Sequence, residues 1–248
     1  MSSGTVSLRV QGVFKKLRHT QALKGLSMTF DAGLIHGIIG PEGAGKTTFL
    51  RHLMGLLRPD QGKISYLRNQ QEVALAELRP SIAYMPQTQS LYPELSIHEH
   101  LEFFRTLYQI SDQEYLERRK KLLQMARLEE FTDRLASQLS GGMYKKLGLI
   151  CSLLASPLVL LLDEPTNGVD PLSRRDFWGL LYDLQKTENV LILVTTSYLD
   201  EALKCQQVHL LFDGKTLLEG EPRVLLQQQN CKSFDEVFLQ YDALEETP

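Results

Sequence analysis

The chain of 248 residues is long enough to bury a substantial core in one large domain or two small ones. Its net charge of −3 gives no general electrostatic attraction to nucleic acid or to anionic lipid, so no nucleic-acid partner is expected. With that charge, any membrane role would have to come through a protein partner. The N-terminus lacks the basic-then-apolar layout of a signal peptide, which indicates a cytoplasmic protein.

The first predicted elements form a small antiparallel sheet. Segments 7–13 and 26–30 alternate apolar and polar residues, which is typical of strands with one face in water. Segment 34–40 is a short apolar run that ends in glycine, and a helical pattern follows it at once. The chain therefore passes from strand to loop to helix at this point.

A helical block follows, from Ser96 to Leu154. Ser96 with Glu99, and Ser111 with Glu114, have the spacing of capping boxes, so helices are predicted to begin at both serines. A third apolar helix follows the only pair of adjacent glycines in the chain.

Two continuous apolar strands, at 158–164 and 190–197, alternate with a helical stretch at 174–186. Strands that are apolar on both faces and alternate with helices indicate a parallel sheet covered on both sides. The predicted fold class is therefore α/β, with a mostly parallel sheet, a small N-terminal antiparallel sheet and an inserted helical block.

The loop after segment 34–40 matches G-x-x-x-x-G-K-[ST] in the strand–loop–helix context that this pattern requires. Glycines let backbone amides face phosphate oxygens, Lys46 supplies a positive charge, and Thr47 offers a hydroxyl to Mg²⁺. A glycine-rich turn with a chance lysine is the structural alternative. The residues predicted to bind a phosphate-bearing cofactor are Gly40, Pro41, Glu42, Gly43, Ala44, Gly45, Lys46, Thr47 and Thr48.

The strand at 158–164 delivers two carboxylates, Asp163 and Glu164, to its C-terminal end, where ligands of open α/β sheets bind. One can reach a Mg²⁺ ion while the other faces an attacking water, which suits phosphoryl transfer. Alone, such a pair is more often a surface turn.

Ser140, Gly141 and Gly142 stand directly before an apolar helix, as either an anion-binding helix start or a simple cap. The order of phosphate loop, LSGG and LLLDEPTNGVDP resembles the nucleotide-binding subunits of ATP-binding-cassette (ABC) transporters. The resemblance covers nearly the whole chain, and the last segment resembles exporter-type cassettes of the drug and polymer class.

The resemblance implies one nucleotide-binding domain, residues 1–248, with a P-loop NTPase core. The core would comprise residues 1–88 and 156–220, followed by a C-terminal helical extension at 221–248, with a helical signature subdomain at 89–155. In that family two cassettes bind head to tail around ATP. The implied partners are a second cassette, identical or different, and integral-membrane subunits that hold the chain at the cytoplasmic face of the membrane.

The resemblance also implies roles for residues near the phosphate loop. Lys46 would hold phosphates, and Thr47, Gln87 and Asp163 would surround Mg²⁺. Glu164 would be the general base or would position the attacking water, and Gln87 would report the nucleotide state to a membrane subunit.

A second set of residues would serve the ATP of the opposite cassette. By the same resemblance these are Ser140, Gly141 and Gly142. Asp170 matches the loop that crosses the dimer interface, although an aspartate before proline often just begins a turn.

Two positions depart from the family pattern. Ser197, predicted here as a catalytic position, stands where the family usually has a histidine that reaches the γ-phosphate. Leu17 stands where an aromatic residue usually stacks on adenine, with Phe14 and His19 nearby. We therefore expect ATP binding to be intact and hydrolysis to be slow or dependent on a partner.

Two other functions remain open at this stage. One is a soluble ATP switch that acts on nucleic acid, and the other is a regulatory cassette that binds ATP without hydrolysing it. Leu91, Tyr92 and Leu95 are a candidate groove for the membrane partner, with core packing as an equal alternative.

Overall fold

The computed structural model describes residues 4–88 and 91–245. Its described strands are β1 (Val6–Leu17), β2 (Thr20–Phe30), β3 (Ile35–Ile39), β4 (Gln61–Arg68), β5 (Gln71–Val73), β6 (Ile82–Met85), β7 (Val159–Asp163), β8 (Leu191–Thr196), β9 (Gln207–Phe212) and β10 (Lys215–Gly220). They form an antiparallel sheet of order β2-β1-β4-β5 and a core sheet of order β10-β9-β3-β8-β7-β6. In the core sheet only the β9–β10 pair is antiparallel among the described strands.

The described α-helices are α1 (Lys46–Leu53), α2 (Leu75–Leu78), α3 (Ile97–Tyr108), α4 (Asp112–Ala126), α5 (Gly141–Leu153), α6 (Pro171–Glu188), α7 (Pro222–Gln228) and α8 (Phe234–Glu245). Short 3₁₀ helices span Arg79–Ser81, Glu129–Phe131, Ala136–Gln138 and Leu199–Lys204. The helical block that the sequence predicts is therefore α3, α4 and α5.

The core sheet is buried on both faces, which explains its continuous apolar strands. Every residue of β3, β7 and β8 is buried. One face packs with α1 and the antiparallel sheet, through side chains such as Phe30, Phe49 and Leu161. The other packs with the helical block and α6, through side chains such as Ile150 and Phe177. The parallel strands β3, β7 and β8 end side by side, so the loops that follow them meet at one edge.

One of the two predicted capping boxes is confirmed. Ser96 accepts from the amide of Glu99 (3.2 Å) while the Glu99 carboxylate accepts from the amide of Ser96 (2.7 Å) at the start of α3. The helix start predicted at Ser111 is also confirmed, because Ser111 is the N-cap residue of α4, but the capping box there is wrong, since Ser111 makes no side-chain capping bond. Glu114 instead pairs with Arg118 one turn along the helix.

The structure confirms the predicted fold class, an α/β core with an antiparallel N-terminal sheet and inserted helices. Three bounds of the predicted domain division, residues 1, 89 and 248, lie outside the described residues. None of the helices in the described part of the chain has the length and apolar character needed to cross a membrane.

Candidate functional site

The loop between β3 and α1 curls over the end of the core sheet. The amide of Gly40 donates to the carbonyl of Thr196 at the end of β8 (3.3 Å). A Cβ on Gly40 would lie 2.1 Å from the backbone oxygen of Leu211, so the backbones can approach only because this residue is glycine. Gly45 precedes α1 with φ of 102°, a conformation that glycine adopts without strain. The glycine pattern is therefore required by the local backbone.

Lys46 lies in the first turn of α1 with only 5% of its surface exposed. Its ammonium donates to the carbonyls of Gly40 (2.7 Å) and Pro41 (3.0 Å) and lies 3.2 Å from Oε1 of Glu164. These oxygens compensate the cost of burying a charge. The structure thus brings the predicted phosphate-binding lysine and the predicted catalytic carboxylate into direct contact.

Asp163 ends β7 and is buried among hydroxyl donors. Its Oδ1 accepts from the hydroxyls of Thr47 (3.0 Å) and Thr195 (2.7 Å), and its Oδ2 accepts from Tyr84 (3.1 Å). Burial raises the pKa of Tyr84 to about 12, and the charge of Asp163 acts in the same direction. The phenol therefore stays protonated at neutral pH and donates to the carboxylate.

The oxygens of Thr47 and Asp163 fit a magnesium ion. Mg²⁺ takes oxygen ligands at 2.0–2.1 Å in octahedral geometry, so adjacent ligands lie about 2.9 Å apart. The separation of 3.0 Å between Thr47 Oγ1 and Asp163 Oδ1 matches that spacing. Gln87, the third predicted ligand, donates its side-chain amide to Oε2 of Glu164 (3.2 Å).

Glu164 follows β7 with a φ of 45°, a left-handed conformation that is unusual for a residue with a side chain. Its amide donates to the carbonyl (3.1 Å) and to the hydroxyl (3.0 Å) of Thr195, which holds this conformation. Its Oε2 accepts from the side-chain amides of Gln87 and Asn167, both at 3.2 Å. The carboxylate is therefore oriented by its own chain.

Lys46, Thr47, Gln87 and Glu164 line one cavity of about 240 Å³. The residues around it are Thr20, Gln21, Ala22, Glu42, Gly43, Ala44, Gly45, Lys46, Thr47, Thr48, Gln87, Glu164, Asp213 and Gly214. The sequence analysis missed the starts of β2 and of the β9–β10 turn, because neither lies in a motif. Gly214 was the available signal, since its φ of 73° and its approach to the Ala22 carbonyl require glycine.

The three hydroxyl residues at the end of β8 point to different places. Thr195 donates to Asp163, and the carbonyl of Thr196 accepts from the phosphate loop. Ser197 lies just beyond the strand and lines a separate cavity of about 360 Å³, between Pro41 and α8. The structure does not place Ser197 among the residues that line the phosphate-loop cavity. The hydroxyl of Thr195 is thus bound to Asp163, a contact that the sequence analysis did not predict.

The predicted second set of residues lies at the starts of α5 and α6. Ser140 caps α5 by accepting from the amide of Met143 (3.3 Å), and Asp170 caps α6. Hydrogen bonds from the Ser173 side chain and backbone lower the pKa of Asp170. A Cβ on Gly142 would lie 2.5 Å from Ser173 Oγ, so the two helix starts are in close contact. None of these residues lines the phosphate-loop cavity.

The predicted positions for adenine and for the membrane partner lie elsewhere. Leu17 ends β1, and the residues that line the cavity begin three positions later at Thr20. Tyr92 is 48% exposed and packs edge-on against Phe103, with ring centroids 5.3 Å apart. Leu91 and Leu95 are half-buried.

Comparison with known proteins gives one consistent result. Residues 23–167 match the family model described as "ABC transporter". The chain is 43% identical over 213 residues to YbhF of Escherichia coli (strain K12), named a probable multidrug ABC transporter ATP-binding protein. This match covers 86% of the chain but 37% of YbhF, so the chain spans just over a third of the length of this relative.

A second relative and a solved structure match over most of their length. Identity to the Nod factor export ATP-binding protein I of Burkholderia lata is 36% over 220 residues, covering 88% of this chain and 72% of that protein. Among solved structures, cbiO1 from Clostridium perfringens, titled part of the ABC transporter complex cbiONQ, superposes with a TM-score of 0.81. That match has 28% identity and covers 90% of this chain and 91% of the other.

Proposed function

This chain belongs to the ABC transporter family as an ATP-binding domain, and from that premise we propose that it hydrolyses Mg-ATP to drive export through separate membrane subunits. One observation carries the proposal. Lys46 and Glu164 meet at the phosphate-loop cavity, with Asp163 bound to Thr47 beside it. A loop for phosphates, oxygens for Mg²⁺ and an oriented carboxylate are the parts that phosphoryl transfer needs.

Each group has a defined task in the proposed reaction. Lys46 and the loop amides hold the phosphates, with the positive end of α1 behind them. Thr47 and Asp163 hold Mg²⁺, which when bound offsets negative charge on the phosphate oxygens. Glu164 accepts a proton from the attacking water or positions it, with its Oε2 fixed by Gln87.

We also propose that hydrolysis by the chain alone is slow. Ser197 stands where the family usually has histidine, and Ser197 lines the cavity beside α8. Loss of one donor to the transition state typically costs about 2.7–4 kcal/mol, or roughly a hundred- to a thousandfold in rate. A serine-bound water could restore part of this.

A second cassette would complete the site. Ser140 and Gly141 are exposed and lie outside the cavity that Lys46 lines, which suits contact with nucleotide on another chain. In this proposal Ser140, Gly141 and Gly142 bind the ATP of the opposite cassette, and Asp170 crosses the interface. The second cassette is either identical or different.

The remaining assignments concern the membrane and the domain division. We place the chain at the cytoplasmic face of the membrane, held there by integral-membrane subunits, with export as the direction because both relatives described above carry multidrug or export names. Residues 1–88 and 156–220 would form the ATP-binding core, 89–155 the signature subdomain and 221–248 the C-terminal extension. An ATP switch that acts on nucleic acid is not favoured, since these relatives are named transporter proteins.

The test is steady-state hydrolysis of Mg-ATP by wild type, Ser197→His and Glu164→Gln. Glu164→Gln should bind ATP without turnover and serves as the blank. We expect wild type near the blank and a faster Ser197→His variant. Ordinary turnover by wild type would contradict the slow-site proposal, and no ATP binding by any of the three would contradict the function itself.

A further inference from the structure

Tyr144 and Lys145, the fourth and fifth residues of α5, make side-chain hydrogen bonds to the backbone of Leu91 and Gln87. The ammonium of Lys145 donates to the backbone carbonyl of Gln87 (3.1 Å). The backbone amide of Leu91 donates to the hydroxyl of Tyr144 (3.1 Å). The amide of Tyr144 in turn donates to the carbonyl of Ser140 (2.9 Å), so these contacts begin at the LSGG segment.

The same contacts continue to the catalytic carboxylate. Gln87 uses its carbonyl to accept from Lys145 and its side-chain amide to donate to Glu164 (3.2 Å). Glu164 in turn lies 3.2 Å from Lys46 of the phosphate loop. A continuous series of polar contacts therefore joins the start of α5 to the phosphate loop of the same chain.

The surroundings of Lys145 fit a residue that holds a neighbouring group in place. Burial lowers the pKa of Lys145, and the charge of Glu164 acts in the opposite direction, so the ammonium lies within electrostatic range of that carboxylate. Among the described residues none of the ion pairs includes Lys145, and its hydrogen bond is to the carbonyl of Gln87. A charged donor makes a bond about twice as strong as a neutral one.

We propose that Lys145 is a positioning residue that orients Glu164 through Gln87 and ties it to the LSGG segment. The inference rests on the proposed function, because it concerns how the two ATP sites of a cassette dimer communicate. Ser140 would contact the ATP of the opposite cassette, and Lys145 lies about 7.5 Å further along the same helix start. A shift of α5 on contact with that ATP would move the carbonyl of Gln87 and hence the carboxylate of Glu164.

The test compares Lys145→Met, Lys145→Arg and Lys120→Met in wild type or Ser197→His, whichever hydrolyses Mg-ATP faster. Lys145→Met keeps a long unbranched side chain but removes the charged donor, so kcat should fall roughly tenfold or more. The Kd for a fluorescent ATP analogue should stay within about threefold, because Lys145 does not line the phosphate-loop cavity. Lys145→Arg should restore most of the turnover, since a guanidinium can donate to the same carbonyl.

Lys120→Met is the matched control, because it removes one exposed lysine from the same helical block and should hydrolyse ATP like its background. A thermal melt of each variant shows whether a lower kcat comes from unfolding of the protein or from a misplaced Glu164 in a folded protein. Background-level kcat in Lys145→Met, or a loss in Lys145→Met that arginine does not restore, would overturn the positioning role and leave the proposed function intact. Absence of turnover in both backgrounds would overturn the proposed hydrolysis, and the inference with it.

Discussion

The phosphate loop and the LSGG segment are both candidate anion-binding helix starts by sequence, yet their surroundings in the fold differ. At the phosphate loop, Lys46 and Asp163 are buried and bound by oxygens or hydroxyls of the same chain. At the LSGG segment, Ser140 and Gly141 are exposed, and Ser140 Oγ accepts only from Met143 among the described contacts. One helix start is fixed by its own chain and the other faces outward.

The difference shows which of the two helix starts the chain holds in place with its own residues. Buried polar groups must be satisfied within the fold, so the phosphate loop is already arranged before any ligand binds. An exposed helix start has no such requirement, because water satisfies its amides. This contrast supports a site in which one chain supplies the chemistry and another supplies the LSGG segment.

The largest effect is expected for a substitution that removes the proposed base and leaves the phosphate loop unchanged. In whichever of wild type and Ser197→His hydrolyses Mg-ATP faster, Glu164→Gln keeps the shape and one acceptor oxygen but removes the base, so turnover should fall by about 10²- to 10⁴-fold while ATP still binds. Steady-state hydrolysis and binding of a fluorescent ATP analogue measure the two quantities. Glu117→Gln, at an exposed glutamate of α4, is the control and should leave the turnover of the same background unchanged. Equal turnover in both variants would place the base elsewhere.

A pair of glycine substitutions tests the contrast in backbone packing. Gly40→Ala would place a Cβ 2.1 Å from a backbone oxygen, whereas a Cβ on Gly141 meets nothing within 4 Å. Gly40→Ala should lower the free energy of unfolding by about 1–3 kcal/mol, and Gly141→Ala should leave it unchanged or raise it slightly. Urea unfolding measures both. Similar losses in the two variants would show that the LSGG segment is also packed by its own chain.

Acid should weaken the half of the molecule that carries the phosphate loop. His36 on β3 is buried against His209, and burial together with the His209 charge lowers the pKa of His36 to about 4. Its ordinary value is 6.5, so between pH 6.5 and 4 the unfolded chain binds the proton more readily. Neutral His36 therefore costs no stability above pH 6.5. As the pH falls to 5, the free energy of unfolding should decrease by about 2 kcal/mol through this group.

Urea unfolding from pH 7 to pH 5 measures this loss in wild type and in two variants. His36→Phe should weaken the dependence of the free energy of unfolding on pH. His98→Gln, which removes an exposed histidine of the helical block, should show the same pH dependence as wild type. A wild-type slope in His36→Phe would assign the acid sensitivity to another group.

The smallest effect concerns the LSGG segment itself. Ser140→Ala removes the hydroxyl that caps α5, so the free energy of unfolding should fall by about 1 kcal/mol. If Ser140 also contacts the opposite ATP, turnover by the dimer should fall further than this loss of stability explains. Ser111→Ala is the control, because Ser111 precedes α4 without a side-chain capping bond. Equal changes in stability for the two variants would contradict the capping role.

The family and the fold class could be predicted from the sequence because both depend on local patterns of residues. The family match and the two sheets confirm the expectations drawn from the phosphate loop, the LSGG segment and the apolar strands. The capping box at Ser111 failed because spacing alone does not decide which partner a carboxylate chooses. Glu114 binds an arginine on its own helix.

By itself the sequence determined which residues could bind phosphate and Mg²⁺, because glycines, a lysine and carboxylates at fixed spacing have few other uses. Only the tertiary structure decided which hydroxyl at the end of β8 binds Asp163, because sheet geometry directs Thr195 toward Asp163 and leaves Ser197 in the cavity beside α8. It also decided that Lys145 contacts Gln87, since these residues lie 58 positions apart in the chain and only packing of α5 brings them together.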